Sequence, residues 1–326
     1  MPTFQPQVWT PPPATGLIGE YAPNDRLSSA RLLGVPGVGP EDVAVDGNDR
    51  IFTGLENGAI LELDLNRNIG FVADVGGRPL GVELLGDDDL LVCNADGGLQ
   101  RVSKLGAVDT LLDSVDGVPL MLTNNASVST SGTIYFTESS RRWPLHDYDT
   151  DLVEGQPTGR LLRLDESGEV TVLVDQLQFA NGVALDDDEA SVFVAETGRY
   201  RVHRHWLTGD KAGTTEVFLE NLPGFPDNLS FSDGTLWVAL ASPRQPAIDF
   251  MASRTWMRTI AHRAPDALSP RPTRHGMVFG YDTDGTLTHN LQDASGRVAV
   301  TTGVRAAGGR LFIGMLIDPN IAVFEL

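Results

Sequence analysis

The sequence predicts an all-β protein, a six-bladed β-propeller with four-stranded antiparallel blades. Six segments share one order, an apolar run, a turn rich in Gly, Asp or Asn and a second apolar run, and they recur about every 40–60 residues. Most are followed by two further short apolar runs. A period of about 3.6 residues is almost absent, which argues against alternating strands and helices. The 35 Gly and 20 Pro residues suit many tight turns.

The turns inside the six repeats have the chemistry of β-hairpins, because Gly, Asn and Asp tolerate positive φ. These turns are residues 46–49, 86–89, 131–132, 186–189, 233–234 and 308–309. The sixth repeat reaches the C-terminus one strand short, so we expect the segment Ser29–Val35 to supply its fourth strand and close the ring. Residues 1–326 are then one domain, with residues 1–16 as a Pro-rich, extended N-terminal arm.

Two repeats, the third and the fifth, carry insertions after their second strand, at residues 139–157 and 241–276. Second strands end on the face of the ring where first strands begin, here called the upper face, so both insertions should overhang it. In the second insertion, apolar residues near helical spacing predict a short amphipathic helix. These residues are Ile248, Met251, Trp256 and Ile260.

Composition narrows the class of function. The chain has 24 basic and 44 acidic residues, a formal net charge of −20. Such a surface repels nucleic-acid phosphates and anionic lipid headgroups, so we expect a small-molecule substrate and neither a nucleic-acid nor a membrane partner. A single cysteine, Cys93, excludes an intramolecular disulfide. No basic leader with an apolar segment is present, and no run of about 18 apolar residues, so a cytoplasmic location is predicted.

One position per repeat, just before its first strand, suggests a metal site. First strands line the central channel of a propeller, so these ring positions converge on the axis. Four of the six offer carboxylate or amide oxygens, with a net charge of −2, which suits Ca²⁺ or another divalent cation; no histidine or thiol favours zinc or copper. The alternative is that these residues only begin strands and cap turns. The six positions hold Glu41, Leu80 or Gly81, Asn124, Asn181, Asp227 and Thr302.

Substrate contacts are expected from residues beside the ring and in the two insertions, where aromatic and imidazole side chains can wall a pocket. They are Asn125, Trp143, His146, Tyr148, Trp256 and His275. Arg254 and Arg258 would favour an anionic substrate if they face inward.

Several motifs resemble those of the strictosidine synthase-like proteins, within a superfamily that includes the gluconolactonase–regucalcin group and the paraoxonases. The motifs are Gly39–Asp46, Gly77–Gly81, Thr133–Ser140, Phe179–Ala184, Val194–Thr197 and Leu222–Asn228. The resemblance spans roughly residues 30–326 and implies a six-bladed propeller. In the metal-dependent members it implies axial Ca²⁺ and hydrolysis of lactones or related esters. The metal-ligand positions of the gluconolactonase group match Glu41, Asn124, Asn181 and Asp227, and Asp227 also matches the general base proposed there.

The sequence departs from these relatives at two positions. Asn125 stands where the metal-dependent members usually carry Asp. Thr302 stands where strictosidine synthase, which joins an amine and an aldehyde without metal, uses a glutamate. We therefore predict a calcium-dependent hydrolase in which the metal polarises a carbonyl and Asp227 deprotonates water. Two alternatives stay open, a metal-free, synthase-like enzyme that forms carbon–carbon bonds and a non-catalytic propeller that binds a partner or small molecule.

Overall fold

A computed structural model describes residues 2–86, 88–264 and 272–326, which form six four-stranded antiparallel sheets. The first strand, β1 (Arg31–Gly34), belongs to the last blade. Blade 1 contains β2 (Val43–Val45), β3 (Ile51–Gly54), β4 (Ala59–Leu63) and β5 (Ile69–Asp74). Blade 2 contains β6 (Pro79–Leu85), β7 (Asp89–Asn94), β8 (Gly98–Val102) and β9 (Val108–Leu112). A small hairpin of β10 (Ser114–Val115) and β11 (Val118–Pro119) follows.

The remaining blades repeat the same order from the inner to the outer strand. Blade 3 contains β12 (Thr123–Val128), β13 (Ile134–Glu138), β14 (Gly159–Leu164) and β15 (Val170–Leu177). Blade 4 contains β16 (Ala180–Leu185), β17 (Ser191–Glu196), β18 (Arg201–Trp206) and β19 (Thr215–Leu219). Blade 5 contains β20 (Gly224–Ser232), β21 (Thr235–Pro243), β22 (Gly276–Tyr281) and β23 (Leu287–Asp293). Blade 6 contains β24 (Thr301–Ala307), β25 (Arg310–Met315), β26 (Asn320–Glu325) and β1. The predicted six-bladed propeller is confirmed.

The ring closes between the two ends of the chain, as the sequence predicts. The first strand, β1, pairs antiparallel with β26, with Leu33 opposite Ile321. Both side chains are fully buried in one cluster, together with Phe312 of blade 6 and Val43 of blade 1. The closing strand therefore joins blade 6 to blade 1 by apolar packing as well as by hydrogen bonds.

Truncation of Leu33 should destabilise the whole ring. Its side chain is fully buried at the closure, and Leu→Ala in a core costs about 2–5 kcal/mol. We expect Leu33→Ala to lower the urea midpoint accordingly, whereas Leu105→Ala, at a leucine that is 90% exposed, should leave it unchanged. Equal midpoints for the two variants would show that the closure contributes little to stability.

Neighbouring inner strands approach one another closely near the axis, and glycine permits this contact. At Gly182 in β16, a Cβ atom would lie 2.4 Å from the backbone nitrogen of Leu229 and 2.5 Å from the carbonyl oxygen of Asp227. Only a residue without a side chain fits there. The first strands of blades 4 and 5 therefore meet backbone to backbone where their ring positions begin.

The insertions predicted in blades 3 and 5 lie between β13 and β14 and between β21 and β22. The first holds α1 (Tyr148–Glu154), and the second holds α2 (Pro246–Ala252) and α3 (Thr255–His262). The predicted single amphipathic helix is thus two helices, with a break at Ser253–Arg254. Residues 265–271 of the second insertion lie outside the described residues. Short 3-10 helices occupy Gly19–Tyr21, Arg26–Ser29, Leu145–Asp147 and Thr197–Arg199.

The N-terminal arm crosses both insertions and ties them together. The backbone N–H of Gln7 donates to the carbonyl oxygen of Glu154 at 2.9 Å, and that of Trp9 donates to the carbonyl of Ala252 at 3.3 Å. The backbone N–H of Gln5 donates to Oε1 of Glu154 at 2.6 Å. The arm therefore bridges the end of α1 and the end of α2, which come from different blades.

Candidate metal centre

Three of the four predicted ligands lie at β-bulges of their inner strands. The bulges fall between Thr123 and Ala126 in β12, between Ala180 and Val183 in β16 and between Pro226 and Leu229 in β20. At each, two residues of the inner strand oppose one residue of the second strand, and the first of the two is Asn124, Asn181 or Asp227. A bulge bends its strand and re-aims a side chain. Three of the ring positions thus occupy the same place in the same kind of bulge.

One side-chain oxygen of each of these residues is buried and lacks a hydrogen-bond partner among the described residues. This holds for Oδ1 of Asn124, of Asn181 and of Asp227. Each buried, unpaired polar atom costs about 1–3 kcal/mol. A small cation would satisfy oxygens that are closed to water and not hydrogen-bonded within the protein. The donor set fits a divalent cation that prefers hard oxygens, such as Ca²⁺.

The two carboxylates of the centre act on each other. Burial raises the pKa of Asp227 well above its ordinary value, and the charge of Glu41 raises it further, while a hydrogen bond from the Asn181 side chain opposes both. Burial likewise raises the pKa of Glu41, against the lowering effect of Arg78. Both carboxylates are more than nine-tenths buried. Two buried carboxyl groups that disfavour each other's ionised form are stabilised when a cation binds between them.

Arg78 belongs to the site, and the sequence reasoning missed it. Its Nη2 donates to Oε2 of Glu41 at 2.9 Å, and both side chains are buried. Counting Glu41 and Asp227 as −1 each and Arg78 as +1, the formal charge of the centre is −1, not the −2 of the four predicted ligands. The sequence feature that could have identified Arg78 is the motif Gly77–Gly81, in which it stands two residues before the ring position Leu80.

A second polar layer lies next to the ring and links the blades. Oδ2 of Asp42 accepts hydrogen bonds at 3.1 Å from the backbone N–H of Val82 and from Nδ2 of Asn125. Oδ1 of Asn125 in turn accepts from the backbone N–H of Val183 at 2.9 Å. The amide of Asn125 therefore joins blade 1 to blade 4. Both of its polar atoms are engaged within the protein, so the structure gives it a linking role where the sequence suggested a substrate contact.

The blade 3 insertion roofs the ring. Leu145 and Leu152 pack on an apolar cluster that includes Leu80 at the start of β6, Leu122 just before β12 and Phe179 just before β16. Burial raises the pKa of the Tyr148 hydroxyl, and the charges of Asp149, Glu41 and Asp227 raise it further. Of the predicted substrate contacts, Tyr148 is therefore the one that the structure brings within electrostatic reach of both carboxylates.

The other predicted substrate contacts lie elsewhere. Trp143 is buried, and its Nε1 donates to Oε2 of Glu154 at 2.7 Å, which anchors α1. The side chain of His146 is 70% exposed, 3.3 Å from Asp147. His275 is buried against the Gln292 side chain at 2.9 Å, and Trp256 is 64% exposed.

Neither insertion arginine is directed at the ring. Nη1 of Arg258 donates to the carbonyl oxygens of Val153 and Glu154, at 3.1 and 3.3 Å. The guanidinium of Arg254 lies 3.8 Å from the centre of the Phe250 ring. Neither arginine therefore provides the positive charge facing the ring on which the expectation of an anionic substrate depended.

The six predicted ring positions hold no histidine and no cysteine. Among the described residues, no three His, Cys, Asp or Glu side chains come together in a group that could hold a metal ion. Cys93 is buried and free, and burial raises the pKa of its thiol well above the ordinary value. The four predicted ligands offer two carboxylates and two amides, a donor set that suits a hard cation.

Solved structures of similar fold include a gluconolactonase and a regucalcin. A gluconolactonase of Xanthomonas campestris has a TM-score of 0.68 at 18% identity, covering 92% of this chain and 91% of the other. A regucalcin of Agrobacterium tumefaciens, described as a calcium-binding protein, has a TM-score of 0.65 at 15% identity, covering 91% and 93%. At these identities the likeness concerns the fold alone.

Sequence relatives define the family. The family models described as "Strictosidine synthase" and "Strictosidine synthase-like, N-terminal" match residues 124–210 and 19–63. The chain is 34% identical to the adipocyte plasma membrane-associated protein of Danio rerio, over 99% of this chain and 84% of that protein. It is 32% identical to the protein strictosidine synthase-like 6 of Arabidopsis thaliana, over 96% and 88%. The chain belongs to the strictosidine synthase-like family, as the motifs indicated.

The relatives also correct one expectation. The predicted cytoplasmic location is wrong, because the adipocyte proteins of Danio rerio and Homo sapiens are named for an association with the plasma membrane, and they point to membrane association. No helix in the described part of the chain combines the length and the apolar character needed to cross a bilayer.

Proposed function

We propose that this protein is a hydrolase of lactones or related esters that depends on a divalent cation, with Ca²⁺ as the first candidate. The observation that carries the proposal is the set of buried, unpartnered oxygens of Asn124, Asn181 and Asp227 at the axial bulges. Glu41 would complete the ligand set through its carboxylate. The gluconolactonase and regucalcin structures support the proposal through their shared fold.

In the proposed reaction, the cation and the residues of the chain would have different roles. A bound divalent cation supplies Lewis acidity toward the substrate carbonyl. Asp227 would accept a proton from the attacking water as the new C–O bond forms at the carbonyl carbon. The acyl–oxygen bond of the ring or ester then breaks, and the leaving alkoxide oxygen takes the proton back. The Tyr148 hydroxyl, whose pKa the charges of Glu41 and Asp227 raise, would donate a hydrogen bond to the substrate, and α1 would exclude bulk water.

Cation binding can be measured on chelator-treated protein by calorimetric titration with Ca²⁺, Mg²⁺ and Mn²⁺ in turn. We expect one equivalent to bind, and the melting temperature to rise, because a ligand at 100 times its Kd stabilises the folded state by about 2.7 kcal/mol. Hydrolysis of a panel of γ- and δ-lactones and aryl esters should stop on chelation and return with the cation. Binding far below one equivalent for every ion would contradict the proposal.

A second candidate is a metal-free enzyme of the synthase type. The ion pair between Arg78 and Glu41 favours it, because the chain itself then supplies a cation beside this carboxylate. The match to the strictosidine synthase family model points the same way. An activity that condenses an amine with an aldehyde and survives chelation would select this candidate.

If a cation binds while the lactone and ester panel stays untouched, a small-molecule-binding propeller with a structural ion is favoured instead.

A further inference from the structure

Helix α3 is oriented with a charged residue inward and apolar residues outward. Arg258 is buried and donates to backbone carbonyls of Val153 and Glu154 at the end of α1, and to that of Gln7 in the N-terminal arm. Trp256 and Ile260 lie two residues on either side of it, which places them on the opposite face of the helix. They are 64% and 62% exposed. The fold of one chain gives this outward apolar face nothing to pack against among the described residues.

Two more exposed apolar side chains lie beside this face. Phe250 of α2 is 54% exposed, and Val8 of the N-terminal arm is 65% exposed. The hydrogen bonds of Gln7 to Arg258 and of Trp9 to Ala252 hold Val8 between α3 and α2. We call Val8, Phe250, Trp256 and Ile260 the apolar rim patch. The patch brings together segments that are about 240 residues apart in the sequence. It is therefore not the exposed tip of a single loop.

The charge around the patch is opposite to that of the whole protein. In residues 246–264, Arg258 is buried on the inner side, which leaves Arg254 and Arg263 as the outer cations against Asp249 alone, in a chain of net charge −20. Asp249 is held by Arg244 at 2.9 Å. Arg254 stacks on Phe250, and Arg263 is exposed directly after α3. Both cations therefore border the patch.

We propose that the apolar rim patch docks this protein on an anionic lipid surface. Aromatic and branched apolar side chains flanked by arginines are typical of segments that lie in the headgroup region of a bilayer. The arginines complement anionic headgroups, each contributing about 1 kcal/mol near the surface. A second copy of the chain would bring two basic patches together, which disfavours it as the occupant. The expectation of no membrane partner rested on the charge of the whole chain, whereas docking depends on the local charge.

The test is sedimentation of the full chain with vesicles at low salt, either phosphatidylcholine alone or with about a third phosphatidylserine. We expect binding to the mixed vesicles only. Trp256→Ser should weaken it about tenfold, since burial of one large apolar side chain is lost. Ile260→Ser is a second variant of the same face. The matched control is Phe71→Ser, because Phe71 on β5 is 66% exposed and lies outside the patch.

The roles of charge and of self-association need separate arms. Arg254→Ser together with Arg263→Ser should reduce binding to the mixed vesicles several-fold. Absence of binding to the mixed vesicles, equal binding to both kinds, or equal losses for Trp256→Ser, Ile260→Ser and Phe71→Ser would each overturn the proposal. So would a dimer in sedimentation velocity, without vesicles, that Trp256→Ser dissociates, because the patch would then belong to a second copy.

Discussion

Asp227→Asn should abolish cation binding and lower kcat/KM for lactone or ester hydrolysis by about 10²–10⁴-fold, the usual contribution of a general base. The substitution keeps the shape of the side chain and removes one negative charge, so the centre of Glu41, Asp227 and Arg78 goes from −1 to 0. The cation-free variant should be at least as stable as the wild type. Its amide carries no buried charge and does not repel Glu41.

These two effects separate a functional from a structural role for Asp227. The melting temperature without cation should stay or rise, while the increase caused by Ca²⁺ should disappear. Asp233→Asn is the control, because Asp233 lies exposed in a hairpin turn at φ 51°, a conformation that Asn also tolerates. A variant Asp227→Asn that binds Ca²⁺ as tightly as the wild type would remove Asp227 from the ligand set.

Glu138→Ala should destabilise the protein by about 3–5 kcal/mol and loosen the entry of β12. Glu138 is fully buried, and its Oε2 accepts from Nε of Arg160 at 2.7 Å. Removal of one partner leaves the buried guanidinium unpaired, which accounts for the magnitude. Its Oε1 accepts from the backbone N–H of Met121 at 2.9 Å, three residues before Asn124. Urea unfolding measures the stability, and calcium titration of the folded variant should show a weaker affinity.

The comparison variants are Glu138→Gln and Asp175→Ala. Glu138→Gln keeps an acceptor for Met121 and should retain more of the cation affinity than Glu138→Ala. Asp175 pairs with Arg141 on the surface, so Asp175→Ala should cost no more than about 1 kcal/mol. If Glu138→Ala and Asp175→Ala are equally stable, the buried pair does not hold the strand.

In blade 4, a second buried glutamate makes the same kind of contacts as Glu138. Oε1 of Glu196 accepts from the backbone N–H of Gln178 at 2.9 Å, three residues before Asn181. Its Oε2 accepts from Nε of Arg201 at 2.6 Å and contacts Nε2 of His203 at 2.7 Å. A buried glutamate at the end of the second strand thus fixes the approach to each of the two predicted amide ligands.

The fold could be predicted from the sequence because each blade repeats the same physical requirement. Each blade needs an apolar run, a turn that tolerates positive φ and a second apolar run. The pattern is weak in any one segment, but its six repetitions identify the blades. The missing fourth strand of the last blade pointed to the N-terminal segment, where β1 lies. The bulges at Asn124, Asn181 and Asp227 were not visible, because they depend on the pairing between strands and not on residue type.

Two features of the site were beyond sequence reasoning for different reasons. Arg78 contacts Glu41 from the start of a neighbouring blade, and nothing in the spacing of the two residues shows that ion pair. In α3 the helical spacing identified an apolar stripe, but spacing does not tell which way a stripe faces. Backbone carbonyls of α1 and of the N-terminal arm satisfy Arg258 on the inner side, so Trp256 turns outward.

The N-terminal arm and β1 also constrain the order in which the molecule can be completed. Residues 2–34 precede all six blades in the chain, yet their partners lie in α1, α2 and β26, which are made later. Blades 1 to 5 can form as they are made, whereas the roof contacts and the ring closure must wait for later segments. These residues therefore reach their final positions only after β26 has formed, and until then the edge of blade 6 is open to pairing with another chain.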